Sequence, residues 1–177
     1  MNHLRELGEL HNRYFGMRHG ESQVVMQPVA VSSAASGLDA KSLTDTGREQ
    51  VRQSVSQHKD VLDHQTVIYS SDFLRCRQTA EVVAAELKAA PPQFTPALRE
   101  RNFGRELGQA RSEESVEQVT DRLTQLIVGL ERQYQGQTVL LVSHGDVLPI
   151  LFSAFTELQP TDRQEPSLRP AEILALN

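Results

Sequence analysis

A chain of 177 residues, 38% of them apolar and 23% charged, has enough apolar material to bury one compact core and is not biased towards wholesale disorder. Its formal net charge of −5, with Lys and Arg scattered along the chain, lacks the basic footprint of a nucleic-acid or anionic-membrane binder, so any bound anion must be held locally. The single cysteine, Cys76, excludes an internal disulfide framework and a thiolate zinc cluster and fits a reducing, cytoplasmic compartment.

No apolar run reaches the length of a membrane span, and Arg5, Glu6 and Glu9 stand where a signal peptide would need an apolar stretch. Residues 1–177 read as a single domain. Arg13 to Met17 has the aromatic and apolar content of a short strand, and polar groups with a glycine take over at Arg18-His19-Gly20. Val24 to Ala35 shows no clear period, and Ser32 to Gly37 is loop-like. Thr44 can cap a helix over Asp45 to Lys59, with Val51 and Val55 on one face and Leu62 beyond it.

Thr66 to Tyr69 reads as a buried strand, Ser70-Ser71-Asp72 as a polar turn, and Phe73 to Leu87 as a helix carrying Ala80, Val83, Ala84 and Leu87, ended by Pro91-Pro92. Val116, Val119, Leu123, Leu126 and Leu130 recur at helical spacing and predict an amphipathic helix from about Glu114 to Tyr134. Thr138 to Val142 is a β-branched and leucine strand that stops at Ser143-His144-Gly145. A last helix begins near Asp146, with Pro149 in its first turn, and Ala171 to Leu176 closes the chain as a strand. Strands alternating with long helices predict an α/β three-layer sandwich around a mostly parallel sheet, whose ligands lie at the carboxyl ends of the strands.

Three segments place a cationic or potentially cationic side chain just after a strand: Arg18-His19, Arg75 beyond Ser70-Ser71, and His144. If the strands are neighbours, two guanidinium forks and two imidazoles converge on one pocket, a set that suits a tetrahedral dianion better than a carboxylate. Arg18-His19-Gly20-Glu21, Ser70-Ser71-Asp72-Phe73-Leu74-Arg75, Leu98-Arg99-Glu100-Arg101-Asn102-Phe103-Gly104 and Ser143-His144-Gly145 together resemble the histidine phosphatase superfamily, to which cofactor-dependent phosphoglycerate mutases also belong. The matches fall in the family's order, with Leu43-Thr44-x-x-Gly47 and Gln78-Thr79-Ala80 as lesser support.

The resemblance implies a phosphoglycerate mutase-like fold in which His19 is the nucleophile, Arg18, Arg75 and His144 hold the phosphate, and Glu100 is the proton donor. Such chemistry needs an imidazole with one nitrogen pinned as N–H, here by a backbone carbonyl near Gly20, so that the other attacks phosphorus. Arg18, Arg75 and a protonated His144 would stabilise the charge spread over the equatorial oxygens, and one carboxyl would serve as acid and then as base. Ser22 is either a further hydroxyl donor to the phosphate or the plain start of a loop.

No cofactor or metal is implied: the positive groups are side chains, and no His-Glu-x-x-His or aspartate cluster occurs. Cys76 reads as a small buried hydrophobe. Two departures from the family stand out. Val25 holds a place where many members carry an asparagine, and the segment between Gly104 and Glu114 is short, which predicts an open pocket. The long extra segment and C-terminal tail of the mutases have no counterpart either, so water should reach a phosphohistidine and hydrolysis should prevail over transfer. The partner expected is a small phosphorylated metabolite or a phosphoprotein. Alternatives are a mutase and a phosphate-binding regulatory module that no longer turns over.

Overall fold

The computed structural model describes residues 4, 9–23, 41–102, 105–106, 109–110, 113–156 and 168–177, with backbone alone for 105–106 and 109–110. The unstructured stretch expected over 24–37, Val25 within it, and Phe103, Gly104 and residues 107–108 and 111–112 of the short segment that follows lie outside the described residues.

The main sheet has five strands in the order β3-β2-β6-β1-β7. They are β1 (Arg13–Arg18), β2 (Val67–Ser71), β3 (Gln93–Thr95), β6 (Thr138–Ser143) and β7 (Ile173–Ala175). β1, β6, β2 and β3 run parallel, and β7 pairs antiparallel with β1. A separate two-stranded antiparallel pair, β4 (Arg105–Glu106) and β5 (Gln109–Ala110), follows β3. The helices are α1 (Asp45–Gln57), α2 (Leu74–Leu87), α3 (Val116–Gln133) and α4 (Val147–Phe155).

Side-chain alternation along the central strands divides the core into two layers. Tyr14, Tyr69, Val139 and Leu141 face α3 and α4, where they meet Val119, Leu123, Ile127, Leu130, Leu148 and Leu151. Phe15, Met17, Ile68, Leu140 and Val142 face α1 and α2, where they meet Val51, Val55, Ala80 and Val83. Burial on both faces explains why β6 is an unbroken apolar run and not an alternating one.

Local chemistry sets the helix starts. Thr44 accepts the Gly47 N–H at 2.9 Å, and Ser115 forms a reciprocal capping box with Gln118. α2 ends at Lys88, which takes a left-handed conformation at φ 53°, three residues before the prolines expected to stop it. Along α3 the buried stripe runs through Ile127, and Leu126 is only half-buried, a one-residue correction to the expected face.

Strand β7 is shorter than expected. Ala171 takes a φ of 61° and its N–H is shared between the carbonyls of Arg18 and His19, so the chain joins the sheet only at Ile173. Strand β3 and the β4–β5 pair were not expected: β3 is a three-residue edge strand with exposed side chains at Gln93 and Phe94. No helix among the described residues is long and apolar enough to cross a membrane.

Candidate active site

The parallel register brings the carboxyl ends of β1 and β6 side by side, with Arg18 opposite Ser143. His19 continues the ladder, donating its backbone N–H to the Ser143 carbonyl at 3.0 Å. The loop after it is pressed backbone to backbone against the start of α1. A Cβ on Gly20 would lie 2.6 Å from the Gly47 carbonyl oxygen, and one on Gly47 would run into the Glu21 backbone. The Thr44 N–H donates to the Glu21 carbonyl, Gln78 on α2 accepts the Leu43 N–H, and Thr79 accepts the Gly20 N–H at 3.2 Å. The two lesser motifs, around Gly47 and Gln78-Thr79, thus fix the loop that presents His19.

Within that frame four side chains meet. His19 Nδ1 donates to the Gly20 carbonyl at 2.8 Å, which leaves Nε2 as the unprotonated nitrogen, and Nε2 accepts from Arg75 Nε at 3.2 Å. Arg75 Nη2 reaches Glu100 Oε2 at 2.6 Å and His144 Nδ1 at 3.0 Å. A guanidinium only donates, so His144 Nδ1 accepts and its Nε2–H donates to Ser71 Oγ at 3.0 Å. The two imidazole centroids are 5.4 Å apart in an edge-to-face arrangement. Arg18 completes the cluster: its guanidinium lies against Gly145, where a Cβ would come within 3.0 Å of it, and Nη1 donates to the Leu168 carbonyl at 2.6 Å. Arg18 Nε and Arg75 Nη1 are buried N–H groups without a hydrogen-bond acceptor. Leaving such donors unpaired costs about 1–3 kcal/mol each. That cost makes the pocket a ready acceptor of anionic oxygen.

The sequence matches the histidine phosphatase superfamily (branch 1) over residues 15–114 and 106–177. The chain belongs to this superfamily. Among its relatives are phosphoglycerate mutase-like protein 4 of Arabidopsis thaliana, 26% identical over 88% of this chain and 72% of that one, and the probable phosphoglycerate mutase GpmB of Escherichia coli, 29% identical over 89% and 80%. Among solved structures, a mycobacterial glucosyl-3-phosphoglycerate phosphatase superposes with a TM-score of 0.71 at 20% identity over 91% of this chain and 87% of that one. A putative alpha-ribazole-5'-P phosphatase of Escherichia coli superposes with a TM-score of 0.65 at 22% identity over 85% and 82%. The fold is that of the histidine phosphatases, a superfamily with both phosphatase and mutase members.

Of the residues singled out from the sequence, the structure brings Arg18, His19, Arg75, Glu100 and His144 together. Ser22 forms an isolated bridge with Leu43, and among the described residues no hydrogen bond joins it to the cluster. Cys76 is buried, as expected, with its thiol pushed up to about 12 by burial, and its Sγ lies 3.4 Å from His144 Nε2. Residues that the sequence reading passed over also shape the site. Ser71 orients His144, and Lys41 adds its charge near His19 and Glu100. Asp146, read only as a helix start, accepts the Arg101 N–H at 3.1 Å through Oδ2.

In the free protein, complete burial, and then the neighbouring Arg75, hold His144 well below the ordinary histidine value. Burial and Arg75 likewise push His19 down to about 3. In the unfolded chain both would take up a proton near pH 6.5. Folded-state stability carried by these neutral imidazoles is therefore present above pH 6.5 and is lost as the pH falls below it, by up to about 1.4 kcal/mol per pH unit for each histidine. Burial raises both Glu100 and Asp146 above their ordinary values, which offsets part of the loss. Urea midpoints at pH 7.5 and 5.5 should fall further in the parent protein than in His19→Asn; equal falls would contradict a neutral buried His19.

Proposed function

We propose that this protein hydrolyses phosphate monoesters through a phosphohistidine on His19. The observation that carries the reading is the tautomer of His19. The Gly20 carbonyl holds Nδ1 as N–H, and Nε2, with its lone pair free of a proton, faces the Arg75 guanidinium beside Glu100 and His144.

A phosphate dianion entering the cluster offers oxygens to Arg75 Nη1 and Arg18 Nε and replaces His19 Nε2 and Glu100 as acceptors for Arg75. Nε2 then attacks phosphorus in line. As the N–P bond forms, the bond to the leaving oxygen breaks with its electron pair on that oxygen, and the Glu100 carboxyl gives it a proton. Burial, which pushes the Glu100 carboxyl above its ordinary value, favours that protonated form. The dianion also raises the proton affinity of His144, so the cation that the chemistry wants is made on binding. In the second step water attacks phosphorus, the N–P bond breaks, and Glu100, now a carboxylate, takes the proton from water.

Hydrolysis is preferred over transfer because only nine residues separate Gly104 from Glu114, too few for an extensive cover that excludes water from the phosphohistidine. The phosphatases among the structural neighbours support the same reading. The mutase reading is favoured by the names of the sequence relatives. Incubation with a phosphoglycerate, following both inorganic phosphate and the positional isomer, separates the two: phosphate without isomer is the expected result, and isomer without phosphate would reverse it. A free, buried Cys76 supports a cytoplasmic setting, and the substrate class extends from small phosphorylated metabolites to phosphoproteins.

A further inference from the structure

The loop that carries Glu100 is tied down from several sides. Arg122 on α3 donates to the carbonyls of Ala97 and Arg99 at 2.5 and 2.9 Å, and Arg99 forks onto Asp72 at 2.7 and 2.6 Å. Another tie comes from Asp146. This residue occupies the N-cap of α4, where an aspartate ordinarily accepts a helix N–H and adds about 1 kcal/mol of stability. Here it makes no such bond. Its Oδ2 instead accepts the N–H of Arg101, the amide joined directly to Glu100, and its Oδ1 is buried with no hydrogen-bond partner among the described residues. A side chain that forgoes its local role and leaves a carboxylate oxygen buried and unshared breaks two local rules at once, a pattern expected where function and not stability sets the residue.

We propose that Asp146 is a positioning residue for the acid of the reaction: it fixes the peptide after Glu100 and, by the charge of its unshared carboxylate, keeps the Glu100 carboxyl protonated. This deepens the phosphohistidine reading and rests on it. The need for such a residue follows from the cage itself. Glu100 is faced by Arg75 from α2, Arg18 from the end of β1 and Lys41 from the segment before α1, all of which draw its proton away. Burial opposes them, and Asp146 is the anion that does so too. Asp146 in turn is raised by burial, while the Arg101 N–H that it accepts, Arg122 of α3 and Arg75 of α2 all favour its charged form. A pocket charged to hold a dianion would otherwise ionise the very group that must donate a proton.

The test uses the full chain with 13C-labelled glutamate carboxyls, read by NMR titration, together with the pH dependence of kcat for a generic phosphate ester. Asp146→Asn keeps the shape and can still accept the Arg101 N–H, but it removes the charge. It should lower the Glu100 titration point by about one pH unit and bring the alkaline limb of kcat down by the same amount. Asp146→Glu, which restores the charge, should move both back. An Asp146→Asn protein that loses rate uniformly, with the titration point and the limb unmoved, would show a purely structural role and overturn the proposal. So would a Glu100 that titrates at or below the ordinary glutamate value in the parent protein, a result that needs no folded variant. The titration does not depend on turnover. Absence of ester hydrolysis and of a His19 phosphoryl label would therefore fail the phosphatase reading while the NMR shift still reports on Asp146.

Discussion

His19→Ala is expected to lower kcat by roughly four to six orders of magnitude, the range seen when a nucleophile is deleted from an otherwise intact site. The remaining pocket keeps Arg18, Arg75 and Glu100, so inorganic phosphate should still bind. The acid-labile phosphoryl label on the protein should vanish. Structure adds a feature that the sequence reading did not foresee. With the imidazole of the free protein held down to about 3 by burial and Arg75, His19 should impose no acid limb of its own on kcat/KM near pH 6.5. A fall in kcat/KM near pH 6 would instead mark the second ionisation of the substrate phosphate. Turnover of His19→Ala within tenfold of the parent would defeat the mechanism.

The parts of this fold legible in the sequence are those where a local pattern and the tertiary environment agree. Strands β1 and β6 are short apolar runs that end at polar residues, because the sheet ends where the pocket begins, whereas β2 runs on through Ser70 and Ser71, expected as a turn; α3 shows its period because one face alone is buried. Strand β3 has no such mark. Its membership of the sheet rests on backbone pairing with β2, and its side chains at Gln93 and Phe94 face solvent. The left-handed Ala171, which shortens β7, follows from a shared bond to two carbonyls more than 150 positions away.

The candidate site divides in the same way. His19, Arg75 and His144 are readable as residue types placed after strands, and Glu100 only through the resemblance to the family. Their charge states are not readable, because burial holds both histidines below the ordinary value in the free protein. Asp146 was invisible for a related reason. An aspartate at a helix start has an ordinary local explanation, and only the hydrogen bond to Arg101, 45 positions back, shows that it serves another segment.

Arg75→Ala should have the next largest effect, and a wider one, because this side chain alone touches every other reacting group. It is 3% exposed, its Nε contacts His19, its Nη2 is shared by Glu100 and His144, and its Nη1 is a buried donor without an acceptor. Removing it takes away a fork that binds the ground-state dianion and the charge that develops on the equatorial oxygens, so kcat/KM should fall by about 10³- to 10⁴-fold, or roughly 4–5.5 kcal/mol of transition-state stabilisation. Inorganic phosphate should bind more weakly as well. Arg75→Lys should recover little of this, since a point charge cannot span two acceptors as the planar fork does. The pH behaviour separates this account from simple structural damage. Arg75 stands next after burial among the causes that lower both histidines, so its loss must raise the pKa of His19 in the free protein and bring the acid limb of kcat/KM up from about 3 towards the histidine range. Glu100, freed of its ion pair and still facing Asp146, must move up too, carrying the alkaline limb with it. A variant that loses rate while both limbs stay in place would mean that Arg75 acts on packing and not on the charges it contacts.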